Sequence, residues 1–150
     1  MKNIVIVIAF VATICLGAVY GSVLADDVDT ISDRDNPNSD LYILAHVICG
    51  EAQNCDELEQ EYVASVVINR KNSDLFPNTL AEVVFQDNPL QYACTQDGNY
   101  YKEPTETNWE VAQRILYNGS VLPADVVYQS AVPLGSYIYE HTTYHYYCGV

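Results

Sequence analysis

Glu51 closes an apolar run, Val47-Ile48-Cys49-Gly50-Glu51-Ala52, with a glycine directly before it. Most carboxylates of an acidic chain are solvated. A carboxyl at the end of a buried helix holds its proton to higher pH, because burial disfavours the charged form. That is the property a general acid needs near neutral pH. The plainer reading of such a residue is a helix-end carboxylate bonded to backbone amides. His46 lies in the same run, five residues before Glu51, a spacing that does not place the two on one helix face. His141 and His145, four apart in strand-like sequence, are expected on one strand face. Three histidines and many acids satisfy a zinc hydrolase by number, but no His-Glu-x-x-His motif is present. Nor is there a Gly-x-Ser-x-Gly nucleophile elbow. No metal and no cofactor is expected.

Tyrosine is the other abundant chemical resource. The chain has 13, and five of them fall within residues 137–147. A tyrosine ring lies flat on a sugar face and hydrogen-bonds through its hydroxyl. Strand propensity explains the same abundance. The alternations Tyr137/Tyr139 and Tyr144/Tyr146 place each pair on a common strand face, with at least one pair expected toward the core.

The elements that must position these residues begin after a leader. Lys2 gives a short positive n-region, Ile4 to Leu16 is apolar, and Val23-Leu24-Ala25 suits cleavage after Ala25. Residues 1–25 are thus expected to be a secretory signal peptide. The competing reading is an uncleaved anchor, since this stretch is long enough to span a bilayer. A membrane enters the account only in that case. Residues 26–38 are polar and acidic and read as a flexible linker. Residues 39–150 form one domain, with no internal repeat.

Export sets the compartment as extracellular and changes the meaning of the cysteines. Cys15 leaves with the signal, and Cys49, Cys55, Cys94 and Cys148 remain. An even number in an oxidising compartment implies two disulfides. Sequence does not choose among the three connectivities; the expected one, Cys49–Cys55 with Cys94–Cys148, would clamp the Glu51 segment and tie the C-terminus to the middle of the chain. The net charge is −14, and cleavage after Ala25 removes only Lys2, leaving −15. That argues against nucleic acid, anionic membrane and anionic wall polymers as partners, and says little about neutral sugars.

Four helices are legible. Asp40–Gly50 is apolar nearly all round and reads as a central buried helix. Glu57–Lys71 follows Asp56 as cap, and Val63, Val66, Val67 and Arg70 keep helical spacing. Leu80–Phe85 starts from a Thr79/Glu82 capping box, and Asn108–Asn118 from a Thr107/Glu110 one. Gly119 stops the last. Then come β-branched and aromatic runs at Val126–Tyr128, Ser136–Tyr139 and Thr142–Tyr147, which predict a small antiparallel sheet. Helices first and strands last is an α+β pattern. Gln86–Thr105 has no periodicity, and a loop of that length is usually functional.

The ordered motifs resemble a known family. They are Ile48-Cys49-Gly50-Glu51-Ala52, Val66-Val67-Ile68-Asn69-Arg70, Phe76-Pro77-Asn78-Thr79, Val83-Val84-Phe85-Gln86, Gln91-Tyr92-Ala93-Cys94, Asp97-Gly98 and His145-Tyr146-Tyr147. No one piece is specific, but the set in this order is similar to bacterial cell wall hydrolases of the spore-cortex-lytic type, from Leu41 to the C-terminus. The resemblance implies a lysozyme-like α+β fold. It implies cleavage of peptidoglycan between N-acetylmuramic acid and N-acetylglucosamine, by one catalytic Glu as in lytic transglycosylases, and Glu51 matches that Glu. Gln91, Tyr92, Asp97, Tyr128 and His145 are the candidates for lining the glycan groove. Asn69 and Arg70 are expected in packing or a polar network near it. Family members often carry a second Glu four residues after the first, where this chain has Cys55. Many also carry a separate wall-binding domain, so wall targeting is expected from the catalytic domain or from a partner protein. The alternative from another class is a secreted, non-catalytic glycan-binding module in which Glu51 is structural.

Overall fold

The computed structural model describes residues 33–150. The expected signal segment, Cys15 and the first half of the linker lie outside the described residues. The end of the linker is tied down. Arg34 makes a two-pronged contact with Glu106, at 2.8 and 3.1 Å, and its guanidinium lies 5.3 Å from the Trp109 ring centre.

Helix α1 spans Asp40–Ala52. Ser39 caps it, its hydroxyl accepting from the Tyr42 amide at 3.0 Å. Leu41, Ile43, Leu44, Val47 and Ile48 are all buried, so α1 is the axis of the domain. Each such side chain stabilises the fold by about 1.5–3 kcal/mol on burial. The histidine within the run is structural. His46 Nδ1 donates to the Tyr100 carbonyl at 2.6 Å, and its ring stacks on Tyr42 at 3.9 Å. Burial lowers its pKa and so favours the neutral ring, and the bond to the Tyr100 carbonyl partly offsets this.

Helix α2 spans Glu57–Asn72, with Asp56 accepting from the Glu59 amide at 2.9 Å. It packs against α1 and also against the sheet. Asn69 Nδ2 donates to the carbonyls of Pro123 and Val126 at 2.8 and 2.9 Å, and Arg70 Nε to that of Val127 at 2.7 Å. These three bonds fix where the sheet begins. Helix α3, Leu80–Val84, starts from Thr79 as expected. The aperiodic segment 86–105 holds a short helix α4, Cys94–Asp97, and a 3₁₀ turn, Asn99–Tyr101. They meet at Gly98, whose φ of 89° suits glycine.

Helix α5 spans Glu106–Asn118, two residues longer at its start than the spacing predicts. Its cap is Thr105, not Thr107. The Thr105 hydroxyl accepts from the Asn108 amide, and the Asn108 side chain returns to the Thr105 amide at 2.8 Å. Asn108 is buried and also donates to Gln60 at 2.8 Å, which gives it a reason to sit there that Glu110 lacks.

Strands β1 (Val126–Ser130), β2 (Tyr137–His141) and β3 (Tyr146–Gly149) form an antiparallel sheet in the order β1-β3-β2. The fold is α+β. Two strand expectations need correction. His141 ends β2 and His145 precedes β3, with a turn at 142–145 between them, so they do not share one strand face. The buried tyrosine of the sheet is Tyr147, whereas Tyr137, Tyr139 and Tyr144 are exposed and Tyr146 is half-buried. Tyr147 joins Val66, Leu122 and Val126 in a small core between α2 and the sheet, beside the larger core around α1.

The cysteines also depart from expectation. Cys49, Cys55, Cys94 and Cys148 are free thiols, and neither the Cys49–Cys55 nor the Cys94–Cys148 bridge is present. Cys49 Sγ faces the carbonyls of Lys102 and Glu103, at 3.8 and 3.6 Å. Cys94 packs on α1 at Gly50, while Cys148 lies in β3 opposite Tyr128 and Ile138. The fold directs each thiol to a different neighbour. Among the described residues no helix is long and apolar enough to cross a membrane, and no group of acids, histidines and cysteines gathers to hold a metal ion.

Candidate active site

Glu51 lies in the last turn of α1, half-buried, at the edge of the domain core. The Cys94 backbone N–H donates to its Oε1 at 3.3 Å. That contact depends on the residue before. A methyl built on Gly50 lies 2.6 Å from Cys94 Cβ and 2.9 Å from its sulfur. Only a residue without Cβ lets α4 close onto α1 here. The pair Gly50-Glu51 thus has a physical basis: the glycine admits the segment that holds the carboxylate.

Tyr92 reaches the same place from the start of that segment. It is 2 % exposed, and its ring lies 5.1 Å from the Arg70 guanidinium. Burial pushes the Tyr92 hydroxyl up to about 12; Arg70 works against the rise, and the Glu51 charge adds to it. The Cys94 thiol is raised by burial first, and then by the Glu51 charge beside it.

Arg70 organises the floor. Its guanidinium sits between two rings, 5.3 Å from Phe76 and 5.1 Å from Tyr92, while Nε is bonded to β1. Such stacking of a weakly hydrated planar cation is what Arg offers and Lys does not. Tyr128 joins through Phe76, edge to face at 6.5 Å between centroids. Tyr92, Arg70, Phe76 and Tyr128 therefore form one cation–aromatic cluster, and Tyr92 precedes by two residues the Cys94 whose amide bonds Glu51. Beside Phe76 a hollow of about 600 Å³ opens to solvent, lined also by Lys71, Asn72, Asp74 and Asn78. Glu51 does not line it.

The other candidates fall differently. Gln91 is half-buried, and its Nε2 donates to the Pro89 carbonyl at 3.3 Å. Asp97 is exposed and uses both oxygens on Asn99, one on its amide at 2.8 Å and one on its side chain at 2.9 Å. His145 bonds Glu59 at 2.6 Å, in a network with Tyr147. Glu59 itself escapes sequence reasoning. Asp56-x-x-Glu59 looks like an ordinary helix start, and nothing in the local pattern shows that its carboxylate turns inward.

The cell wall hydrolase family profile matches residues 56–142, from the start of α2 to the turn after β2. The chain belongs to the cell wall hydrolase family. Glu51 precedes the matched span, while Arg70, Phe76, Tyr92 and Cys94 lie within it. Among curated proteins, the chain is similar to the spore cortex-lytic enzyme of Bacillus subtilis (strain 168), 36 % identical over 90 residues, covering 53 % of this chain and 29 % of that one. It is 36 % identical over 70 residues to the spore cortex-lytic enzyme of Halalkalibacterium halodurans, covering 47 % of this chain and 21 % of the relative. The corresponding Bacillus cereus enzyme is 36 % identical over 69 residues, or 46 % of this chain and 26 % of the relative. The chain thus spans less than a third of the length of these relatives. No solved structure matches it.

Proposed function

We propose that this cell wall hydrolase cuts the glycan strand of peptidoglycan between N-acetylmuramic acid and N-acetylglucosamine, with Glu51 as the acid. The observation that carries the reading is the placement of Glu51: a half-buried carboxylate on the most buried helix, with the Cys94 amide on one oxygen. That bond engages one oxygen, and the transferred proton is assigned to the other.

Glu51 protonates the glycosidic oxygen as its bond to C1 of the muramic residue breaks, through an oxocarbenium-like state. Its carboxylate then takes the proton of the muramic 6-hydroxyl as that oxygen closes on C1. The products are a 1,6-anhydro end and a free 4-hydroxyl, with no water consumed. A two-carboxylate hydrolase needs a second acid at a set distance. Asp97, the candidate second acid just after Cys94, has both oxygens engaged with Asn99. That favours the one-acid scheme of a lytic transglycosylase. Export to the wall or spore cortex fits this substrate.

Mass spectrometry of the soluble fragments from purified peptidoglycan tests the scheme. Anhydro ends are expected. Reducing muramic ends that incorporate labelled water would instead establish hydrolysis. Binding to peptidoglycan with no fragments released would establish a non-catalytic glycan-binding module.

A further inference from the structure

A separate hollow of about 250 Å³ lies between the start of α2 and the β2–β3 turn. Asp56, Glu59 and Glu140 line it together with Tyr62, Thr142 and Leu58, and neither Lys nor Arg does. Glu59 is 1 % exposed. Its Oε1 accepts both from His145 Nδ1, at 2.6 Å, and from the Tyr147 hydroxyl, at 2.7 Å. Its Oε2 is buried with no partner. The neighbouring Thr142 hydroxyl gives its proton to the His145 carbonyl, at 3.2 Å, and so leaves Oε2 unsatisfied. A buried carboxylate oxygen without a donor is costly in any fold, and a ligand bearing N–H groups removes that cost.

Apart from His145, which is bonded to Glu59, the charged side chains facing the hollow are acidic. Burial raises the Tyr62 hydroxyl, and the charges of Tyr139, Glu140, Glu59 and Glu61 raise it further. A metal ion is a poor match, since among the described residues no three ligands converge. A primary ammonium matches better. It carries three directed donors and tolerates acceptors spread around it. Leu58 and the Tyr62 ring supply an apolar wall for an alkyl stem.

We propose that this hollow binds a primary alkylammonium, the free side-chain amine of the diamino acid in peptidoglycan stem peptides. The assignment of that source rests on peptidoglycan being the substrate; the ammonium contact does not depend on cleavage. Cross-linking converts this amine to an amide, which carries no charge and fewer donors. The hollow would therefore hold the domain to uncross-linked stems.

The test is an NMR titration of the full chain with Nα-acetyl-L-lysine methylamide, its Nε-acetylated counterpart, and glucosamine. The lysine derivative should shift the amides of Tyr62, Thr142 and Thr143 saturably, at one site. Nε-acetylation should weaken it at least tenfold. Glu140→Gln, an exposed change that leaves the Glu59 network intact, should weaken it about threefold to fivefold. Glu59→Gln should weaken it more, provided its circular dichroism matches wild type. Equal binding of the acetylated compound, shifts elsewhere, or unchanged affinity in Glu140→Gln would overturn the site. Glucosamine saturating the same amides as tightly would overturn the peptide assignment. Glycan cleavage without amine binding removes this inference alone, and amine binding without cleavage removes the glycosidase reading alone.

Discussion

The Cys94 amide donates to Glu51 Oε1 at 3.3 Å, and it can do so only because Gly50, one residue before the acid, has no side chain. This joins a motif on α1 to a segment 43 residues further along the chain. Gly50→Ala should therefore be destabilising, against the usual preference for Ala of about 1 kcal/mol inside a helix. Overpacking of this kind costs about 1–3 kcal/mol. Urea denaturation reads the sign directly, and glycan cleavage should fall with it. A stabilised Gly50→Ala protein would show that α4 does not need this close approach.

Arg70 is the second handle on the site. Arg70→Lys keeps the charge but loses the planar stack between Phe76 and Tyr92 and the Nε bond to Val127. A hydrogen bond from a charged group contributes about 1.5–3 kcal/mol. The variant should lose about that much stability, and its activity should drop although Arg70 holds no proton in the reaction. Wild-type stability for Arg70→Lys would mean that only the charge matters there.

The Glu59 network sets a pH dependence. Burial alone would raise this carboxyl, but hydrogen bonds from His145 and Tyr147, with the His145 charge, bring it below its ordinary value of 4.5. A depressed folded pKa stabilises the fold above the unfolded value, and that contribution is lost as pH falls through the folded one. Stability should thus decline below about pH 4.5 partly through Glu59. Glu59→Gln should show a flatter profile of urea midpoint against pH in that range. An unchanged acid limb would assign the decline to other carboxylates.

The thiols offer an independent check on proximity. Cys49, Cys55, Cys94 and Cys148 should all react with a maleimide once the chain is unfolded, without prior reduction. In the folded protein, half-buried Cys55 should react before Cys94, whose thiol is raised by burial and by Glu51. Neutralising that charge in Glu51→Gln should speed Cys94 modification relative to Cys55. A Cys49–Cys55 or Cys94–Cys148 peptide in a non-reducing map would contradict the free-thiol structure.

Much of the scaffold was legible because its signals are local. The apolar run of α1, the Asp56 and Thr79 caps and the β-branched strands each declare themselves within a few residues. The misses are non-local. Thr105 caps α5 because buried Asn108 also serves Gln60, a residue on another helix. His141 and His145 are separated by a turn that has no Gly or Pro to announce it. Glu59 turns inward only because the sheet brings His145 and Tyr147 to it, 86 and 88 residues away. For the candidate site, the position of Glu51 at the end of a buried helix was readable from its apolar setting. The reason for the glycine beside it was not, since Cys94 arrives from an aperiodic segment.

The most direct test of the account is the rate at which Glu51→Gln releases soluble fragments from purified peptidoglycan. The variant keeps the size of the side chain, so its circular dichroism and urea midpoint should stay close to wild type. Its carboxamide has no proton to give and cannot act as the base, and positioned acid–base groups typically contribute 10²–10⁴-fold. Fragment release should therefore fall by at least about a hundredfold, with glycan binding retained. Release at the wild-type rate by a folded Glu51→Gln protein would contradict the assignment of Glu51 as the acid.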